Sequence, residues 1–264
     1  MATVGGEIPK IIHQIWLGNA PQPKEWMDTV RSFAKQNGYQ YRLWKESDID
    51  SLNWDSVPGL RKEYNTFSKE IAGRADIVRL LFLYQFGGIY IDADSVVMKP
   101  SEFAAFLERN PATVFFGWEN LSKERTRKLG NLGPGLTAAR RLVANGLIGA
   151  KANHAFIKML LDGIITNSNR EGDKAHAWRR VGPLYVTRAY MQSKKKFPDV
   201  KIYPMKYFYP RHWGGITDPE LHKKVKIPKE SMLFQYGYST NSFDKIFKAR
   251  NKTHKSNAGH RDHS

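Results

Sequence analysis

The segment from Phe67 to Phe86 constrains the fold more than any other part of the sequence. Ile71, Ala75, Val78, Leu81, Phe82 and Gln85 recur at helical spacing, Ser68 is placed to cap the start, and Gly87-Gly88 stop the run. Ile89-Tyr90-Ile91 must then be a strand, and it runs straight into Asp92-Ala93-Asp94. Most of the helix is apolar, with Ile77, Val78, Leu80, Leu81, Phe82 and Leu83 in close succession. Two charged residues, Asp76 and Arg79, therefore sit three apart on a largely buried element, and buried charges need partners or a ligand.

Upstream, Lys10 to Gly18 reads as a buried strand ending at a glycine turn. Glu25 to Gln36 has helical spacing closed by Asn37-Gly38, and Tyr39 to Trp44 alternates like a second strand. Strand, helix and strand with short connections predict a parallel βαβ opening. Downstream, a helix is predicted from Pro100 to about Arg109 and a strand from Thr113 to Trp118. Leu121 to Gly135 reads as a mobile basic, glycine-rich loop. A helix over His154–Ile165 has Asn153 or His154 as its cap, and another runs from Gly182-Pro183 to about Lys195. Short strands are predicted at Val200–Tyr203, Tyr207–Pro210 and Met232–Tyr236. Residues 1–247 are expected to form one α/β domain with a mostly parallel central sheet and added C-terminal helices and short strands. Residues 248–264, polar and aperiodic, are expected to be a disordered basic tail.

Composition narrows the function classes. Hydrophobic residues make up 41% of the 264, enough for a sizeable core, and the chain has no cysteine, which excludes a disulfide scaffold and thiolate metal sites. No 18-residue apolar run and no signal-peptide core is found, so a cytoplasmic protein, peripheral at most to a membrane, is expected. The net charge of +17 is uneven: residues 1–169 carry 21 basic and 17 acidic groups, whereas residues 170–264 carry 21 basic and 8 acidic groups. That asymmetry suits either a solvated basic surface or an anionic partner such as an acidic membrane. The alternative function is therefore a basic nucleic-acid or anionic-membrane binding protein without catalysis. A carboxylate pair at a strand end would repel phosphate in such a module, and nucleic acid is not expected.

In an open α/β sheet, ligands collect outside the carboxyl ends of the strands, where Ile89–Ile91 deliver Asp92 and Asp94. Residues two apart in extended backbone point to the same side, so both carboxylates can face one small volume. Such a pair resists ionisation unless a cation relieves it, and Mn²⁺ or Mg²⁺ bridging to a substrate phosphate does so.

Ile8-Pro-Lys-Ile-Ile-His-Gln-Ile-Trp-Leu-Gly18, then Ala72-Gly-Arg-Ala-Asp76 through Arg79 to Gly87-Gly-Ile-Tyr-Ile-Asp-Ala-Asp94, resembles glycosyltransferase family 32, the sugar-binding DXD-motif glycosyltransferases. It is also similar, more distantly, to the glucosyltransferase domains of clostridial toxins. Weaker echoes follow in order at Asn145–His154, Val181-Gly182-Pro183 and Tyr207–Pro210. The resemblance implies a GT-A fold and a metal-dependent retaining hexosyltransferase that uses a nucleotide-sugar donor and a glycan or glycolipid acceptor. UDP-glucose or UDP-galactose is the first expectation for the donor and GDP-mannose the second. It implies Asp76, Arg79, Asp92 and Asp94 as catalytic residues. Ile15, Trp16, Tyr90 and Asp92 would hold the nucleotide, with Trp16 stacked on the base, and Asp94 and Asp92 would hold the metal. Asn145 and His212 are the candidates for substrate contact.

The chain departs from the family pattern at two places. Ala75 stands where a serine is common before the helix aspartate. No His completes the C-terminal stretch Leu233–Phe243, and Phe243 replaces the usual Trp. Gln235, Asn241 and Ser242 are the oxygen donors available there to complete the metal's shell. His13, inside an apolar strand, reads as a satisfied core residue.

Overall fold

The computed structural model describes residues 7–120, 141–172, 175–211 and 227–238. The loop predicted at 121–135 and the tail from 248 lie outside them, as do His212, Asn241 and Ser242.

The βαβ opening is present. Strand β1 (Ile11–Ile15), helix α1 (Lys24–Gln36) and strand β2 (Gln40–Trp44) follow one another, and β2 lies parallel to β1 with Ile11 opposite Gln40. A short helix α2 (Glu46–Ile49) and a helix α3 (Leu60–Thr66), absent from the sequence reading, lead to the long apolar helix α4 (Ile71–Phe86). Ser68 does not cap α4. Residues 67–70 form a turn, with the Glu70 amide donating to the Phe67 carbonyl at 2.9 Å, so the helix starts at Ile71 with Glu70 in the capping position. Gly87 ends it in a left-handed conformation (φ 65°) that a β-carbon would disfavour.

Strand β3 (Gly88–Ile91) then pairs parallel to β1. After a short strand β4 (Ser95–Val97) and helix α5 (Pro100–Arg109) come β5 (Val114–Asn120) and the ten-residue β6 (Arg141–Ala150), which the sequence reading did not identify as a strand. Helices α6 (Ala155–Glu171), α7 (Ala177–Arg180) and α8 (Pro183–Ser193) precede β7 (Val200–Tyr203). His154, not Asn153, caps α6: its Nδ1 accepts from the Phe156 amide at 3.1 Å, while Asn153 itself is left-handed (φ 55°). The strand expected at Tyr207–Pro210 is absent: Tyr207 and Phe208 belong instead to a helical turn, α9 (Met205–Phe208), which follows Pro204 and rolls Phe208 into contact with Phe103 and Phe106. Strand β8 (Leu233–Gln235) closes the described chain.

The six-stranded sheet has the order β2-β1-β3-β6-β5-β7. Only β6 runs against its neighbours; β2, β1, β3, β5 and β7 point one way, which is the mixed, mostly parallel α/β sheet expected. Strands β4 and β8 form a separate antiparallel pair beside the carboxyl end of β3. One core lies between the sheet and α3, α4 and α6, around Trp44, Leu80, Phe82, Phe116 and Phe156. The other packs α1 and α5 on the opposite face through Phe33, Phe103 and Phe115.

Position β2 shows what decides which residues are buried. Trp44 has no exposed surface, its ring stacks on Phe82, and Arg42 lies 3.6 Å over its outer face, while Tyr41 and Leu43 remain half-buried. The Trp44 indole donates to His13 Nδ1 at 3.1 Å, and His13 Nε2 donates to the Gly87 carbonyl at 2.9 Å. With both ring nitrogens engaged in a dry core, the imidazole stays neutral, and burial pulls its pKa down to about 4. His13 is thus the satisfied core residue that its apolar strand predicts. Among the described residues no helix is long and apolar enough to cross a membrane.

Candidate active site

The carboxyl ends of β1 and β3, the first turns of α4 and the middle of β6 meet at a cleft of about 480 Å³. Ile15, Trp16, Asp76, Arg79, Tyr90, Asp92, Asp94, Asn145 and Gln235 all line it. Every described residue that the sequence singled out for the site therefore converges on one space.

Arg79 is the hub. It projects from α4 between two carboxylates, with Nη2 3.4 Å from Asp76 Oδ1 and Nη1 3.4 Å from Asp92 Oδ1. Its Nη1 also donates to the Asn145 carbonyl at 2.7 Å, and the guanidinium lies 4.6 Å from the centre of the Tyr90 ring. Burial works against this charge, but Tyr90, Asp92 and Asp76 outweigh it, so Arg79 remains a fixed cation. Asp76, 6% exposed, is pushed up to about 6 by burial, against the opposing pull of Arg79 and of the Asn145 amide, which donates to Oδ1 at 3.2 Å.

Asp92 and Asp94 converge for a reason other than strand alternation. The strand ends at Ile91, and Asp92–Ser95 is a turn in which the Ser95 amide donates to the Asp92 carbonyl at 3.0 Å. The turn is pinned from three sides. The Asp92 amide donates to the Gly146 carbonyl at 2.8 Å, Gln14 Nε2 donates to the Asp92 carbonyl at 3.2 Å, and the Tyr236 amide donates to the Asp94 carbonyl at 2.9 Å. The Tyr90 hydroxyl donates to Asp92 Oδ1, so this tyrosine is both a core residue and a wall of the cleft. Burial raises its pKa well above the usual phenol range. Asp94 Oδ2 accepts from the Tyr238 amide at 2.7 Å, and burial followed by the neighbouring Asp92 charge pushes its carboxyl up to about 6.

Gln235, one of the three oxygen donors the sequence offers to the metal's shell, lies against both motif carboxylates. Its Nε2 donates to Asp92 Oδ2 at 2.6 Å and to Asp94 Oδ1 at 3.3 Å, so the amide presents N–H groups, not an oxygen, to the pair. It stands where a cation would relieve the same repulsion. Five carboxylates line the cleft, Glu70, Asp76, Asp92, Asp94 and Glu119, against one cation, Arg79, among the described residues. In a chain of net charge +17 this acidic cleft is the exception. Its two motif carboxylates are hard oxygen donors that fit Mg²⁺ or Mn²⁺, which complete their shells with water and substrate phosphate oxygens. Among the described residues no third His, Asp or Glu gathers with them into a metal-binding group.

Sequence reasoning missed several residues that shape the site. Gly146 lies so close that a β-carbon on it would come within 2.8 Å of Asp92 Oδ2. Gly182 is equally close to Asp76 Oδ2, at 2.7 Å. Trp178 on α7, Glu70, Ile71 and Pro183 also line the cleft. Val181-Gly182-Pro183 was a weak motif in the sequence, and the close approach of Gly182 to Asp76 and to the Trp178 backbone explains why a glycine is needed there.

Residues 23–111, which hold Asp76, Arg79, Tyr90, Asp92 and Asp94, match the family model described as the glycosyltransferase sugar-binding region containing DXD motif. By this segment the chain is similar to the DXD-motif glycosyltransferases. Over 88 residues, 33% of this chain, the DXD segment and its surroundings are 36% identical to inositol phosphoceramide mannosyltransferase 3 of Schizosaccharomyces pombe. The match covers 24% of that protein, so the chain spans about a quarter of the length of this curated relative. A longer match, 26% identical over 208 residues, covers 77% of this chain and 73% of an uncharacterized glycosyltransferase of Acanthamoeba polyphaga mimivirus. Among solved structures, the PaToxG glycosyltransferase superposes with a TM-score of 0.50 at 18% identity, over 72% of this chain and 70% of that one. The chain thus shares its α/β, GT-A type fold with a solved glycosyltransferase.

Proposed function

We propose that this protein is a metal-dependent retaining glycosyltransferase that moves a hexose from a nucleotide-sugar donor to a hydroxyl of a glycan or lipid-linked acceptor. The observation that carries the reading is the convergence of Asp76, Arg79, Asp92 and Asp94 on one cleft at the carboxyl edge of the sheet. The likeness to mannosyltransferases moves a mannosyl donor ahead of the glucosyl or galactosyl donor expected from the sequence.

Trp16, half-buried at the end of β1 and packed edge-on against Tyr238 at 5.3 Å, is placed to stack on the nucleotide base, with Ile15 beneath it. Asp76 and Asn145 present acceptors and donors for sugar hydroxyls. Arg79, held rigid by Asp76, Asp92 and the Asn145 carbonyl, stabilises negative charge on the departing diphosphate without having to reorganise. Asp92 and Asp94 would hold Mn²⁺ or Mg²⁺, which supplies further charge neutralisation at the leaving group when bound. In the retaining scheme the acceptor hydroxyl attacks on the face the diphosphate leaves, and a leaving-group oxygen takes its proton. The acidic lining supports a nucleotide-sugar site over the nucleic-acid alternative, since phosphate polymers avoid an uncompensated carboxylate cluster.

The test is hydrolysis and transfer across GDP- and UDP-hexoses with Mn²⁺ and Mg²⁺, using Asp94→Asn as the negative control and the anomeric configuration of the product as the stereochemical readout. Turnover of one donor that is abolished in Asp94→Asn, with a retained anomer, is expected. Failure of every donor to bind or turn over overturns the reading, and an inverted product overturns the mechanism alone. A cytoplasmic site of action, peripheral to a membrane, completes the proposal.

A further inference from the structure

Glu63 on α3 and Arg180 on α7, only 8% and 3% exposed, form an ion pair at 2.6 Å across 117 residues of sequence. Neither residue lines the cleft. Ser168 on α6 donates to the same Glu63 oxygen at 2.5 Å, and Arg180 also donates to Ser168 at 3.3 Å and to Thr66 at 3.2 Å. Its guanidinium lies 4.4 Å from the centre of the Phe67 ring. A buried pair of this kind adds little stability over apolar residues of the same volume, because the cost of desolvating two charges offsets their attraction. What it supplies is direction: a planar fork that must meet Glu63, Ser168 and Thr66 together fits one placement of α7.

That placement is passed to the cleft. A single-turn helix has little stability of its own, so α7 stands where its bonds hold it. Besides Arg180, these are the Asn167 amide, which donates to the carbonyls of Arg179 and Arg180, and Glu70, which accepts from the Ala177 amide at 3.0 Å. The Gly182 amide, two residues after Arg180, closes the turn on the Ala177 carbonyl at 3.0 Å. On the other side Thr187, with no exposed surface, ties α8 to β6: its hydroxyl accepts from the Val143 amide at 2.8 Å and donates to the Pro183 carbonyl at 2.6 Å. Gly182 is thus fixed from both directions, and it bounds Asp76. Asp76 Oδ1 is held by the Asn145 amide at 3.2 Å, and Oδ2 lies 2.7 Å from where a β-carbon on Gly182 would sit.

We propose that Arg180, braced by Glu63, is a positioning residue for the donor's sugar: it sets the Gly182 turn, and that turn sets the Asp76 carboxylate that receives the sugar hydroxyls. The inference rests on the glycosyltransferase reading above and adds to it a residue outside the cleft. The groups assigned to the nucleoside diphosphate are held by other segments. Asp92 is tied to Gly146 and Gln14, Asp94 to Tyr236 and Tyr238, and the Trp16 indole donates to the Ala20 carbonyl at 2.9 Å. The brace therefore acts on recognition of the sugar and leaves that of the diphosphate alone.

The experiment replaces the pair in the full chain by apolar residues of similar size, Glu63→Leu with Arg180→Met, and a thermal melt establishes that the variant is folded at the assay temperature. Hydrolysis of the donor that the parent turns over, among GDP-mannose, UDP-glucose and UDP-galactose, is then set against inhibition by the matching free GDP or UDP, both with Mn²⁺. Donor kcat/KM is expected to fall about tenfold or more while the inhibition constant of the diphosphate moves less than about twofold. Arg180→Lys, which keeps the charge and loses the fork, is expected to show the same split with a smaller loss of about threefold, and it carries the test if the double variant does not fold. A purely structural pair predicts parent kinetics in the folded apolar variant. Unchanged donor kcat/KM in a folded variant overturns the proposal, as does a diphosphate inhibition constant that rises in step with the donor KM. Absence of turnover by the parent with every donor overturns the glycosyltransferase reading on which it stands.

Discussion

The side-chain nitrogen of Gln235 lies 2.6 Å from Oδ2 of Asp92, across 143 residues of sequence. The same N–H₂ group reaches Asp94, so one neutral amide holds both carboxylates of the motif together. Gln235→Ala removes that donor from a partly buried carboxylate pair, and a loss of about 1 to 3 kcal/mol in urea unfolding without metal is expected. Added Mn²⁺ should then stabilise the variant at least as much as it stabilises the parent, because it relieves the repulsion the amide had relieved. A smaller Mn²⁺-induced rise in Tm would show that the Gln235 amide turns and ligates through oxygen.

Arg79, itself buried, neutralises two carboxylates and satisfies a backbone carbonyl. Arg79→Met strands Asp76 and Asp92 together, and destabilisation of about 3 to 5 kcal/mol is expected from the uncompensated buried charge. Arg79→Lys keeps the charge but cannot reach three partners with a planar fork, so it should retain most of the stability and lose roughly 100-fold in donor turnover. Equal turnover of the lysine variant and the parent would remove the guanidinium from the catalytic argument.

Gly182 touches Asp76 on one side and the α-carbon of Trp178 on the other, each 2.7 Å from where its β-carbon would sit. Its φ of −100° is open to any residue, so the requirement is for space. Gly182→Ala should cost about 1 to 3 kcal/mol through overpacking and displace the Asp76 carboxylate. A thermal melt together with donor turnover checks this; an alanine variant with the Tm and rate of the parent would mean that the turn simply shifts.

His13 makes folding pH-dependent. Its pKa falls from 6.5 in the unfolded chain to about 4 in the core, so the folded state holds fewer protons between those values. Stability from this residue is full above pH 6.5 and is lost as pH falls towards 4, by about 3 kcal/mol at ~1.4 kcal/mol per pH unit. His13→Gln, which has a donor for Gly87 and an acceptor for Trp44 but no titration, should show a shallower loss of stability in urea unfolding between pH 7 and pH 4.5. Parallel pH profiles for the two proteins would count against the neutral imidazole.

Much of the fold was legible where local chemistry sets it. The apolar period of α4, its glycine stop at Gly87 and the strand that follows were all readable, because helix length and termination depend on residues within a turn of each other. The cap of α4 lies two residues beyond the expected Ser68, at Glu70, because Ser68, a good cap in isolation, is used in the turn out of α3. Strand β6 escaped the reading although nine of its ten residues are buried. A strand covered on both faces has no alternation to reveal it, and its Asn145-Gly146 segment reads equally well as a turn. Tyr207–Pro210 misled in the opposite way, since aromatic residues favour strands until Pro204 and the Phe103–Phe106 surface roll them into a helical turn.

By itself the sequence determined which charged residues come together: Asp76 and Arg79 one helical turn apart, a strand behind a glycine stop, and two aspartates at its end. Those relations span two to eighteen positions and follow from backbone periodicity. The tertiary structure alone decided that Asn145 completes the Asp76–Arg79 pair, that Gln235 bridges the two motif aspartates, and that Trp178 lines the same cleft. Each of these joins segments whose approach depends on strand order, on the antiparallel course of β6 and on the pairing of β8 with β4. No local preference encodes those choices, because they are settled by which faces the whole chain can bury at once.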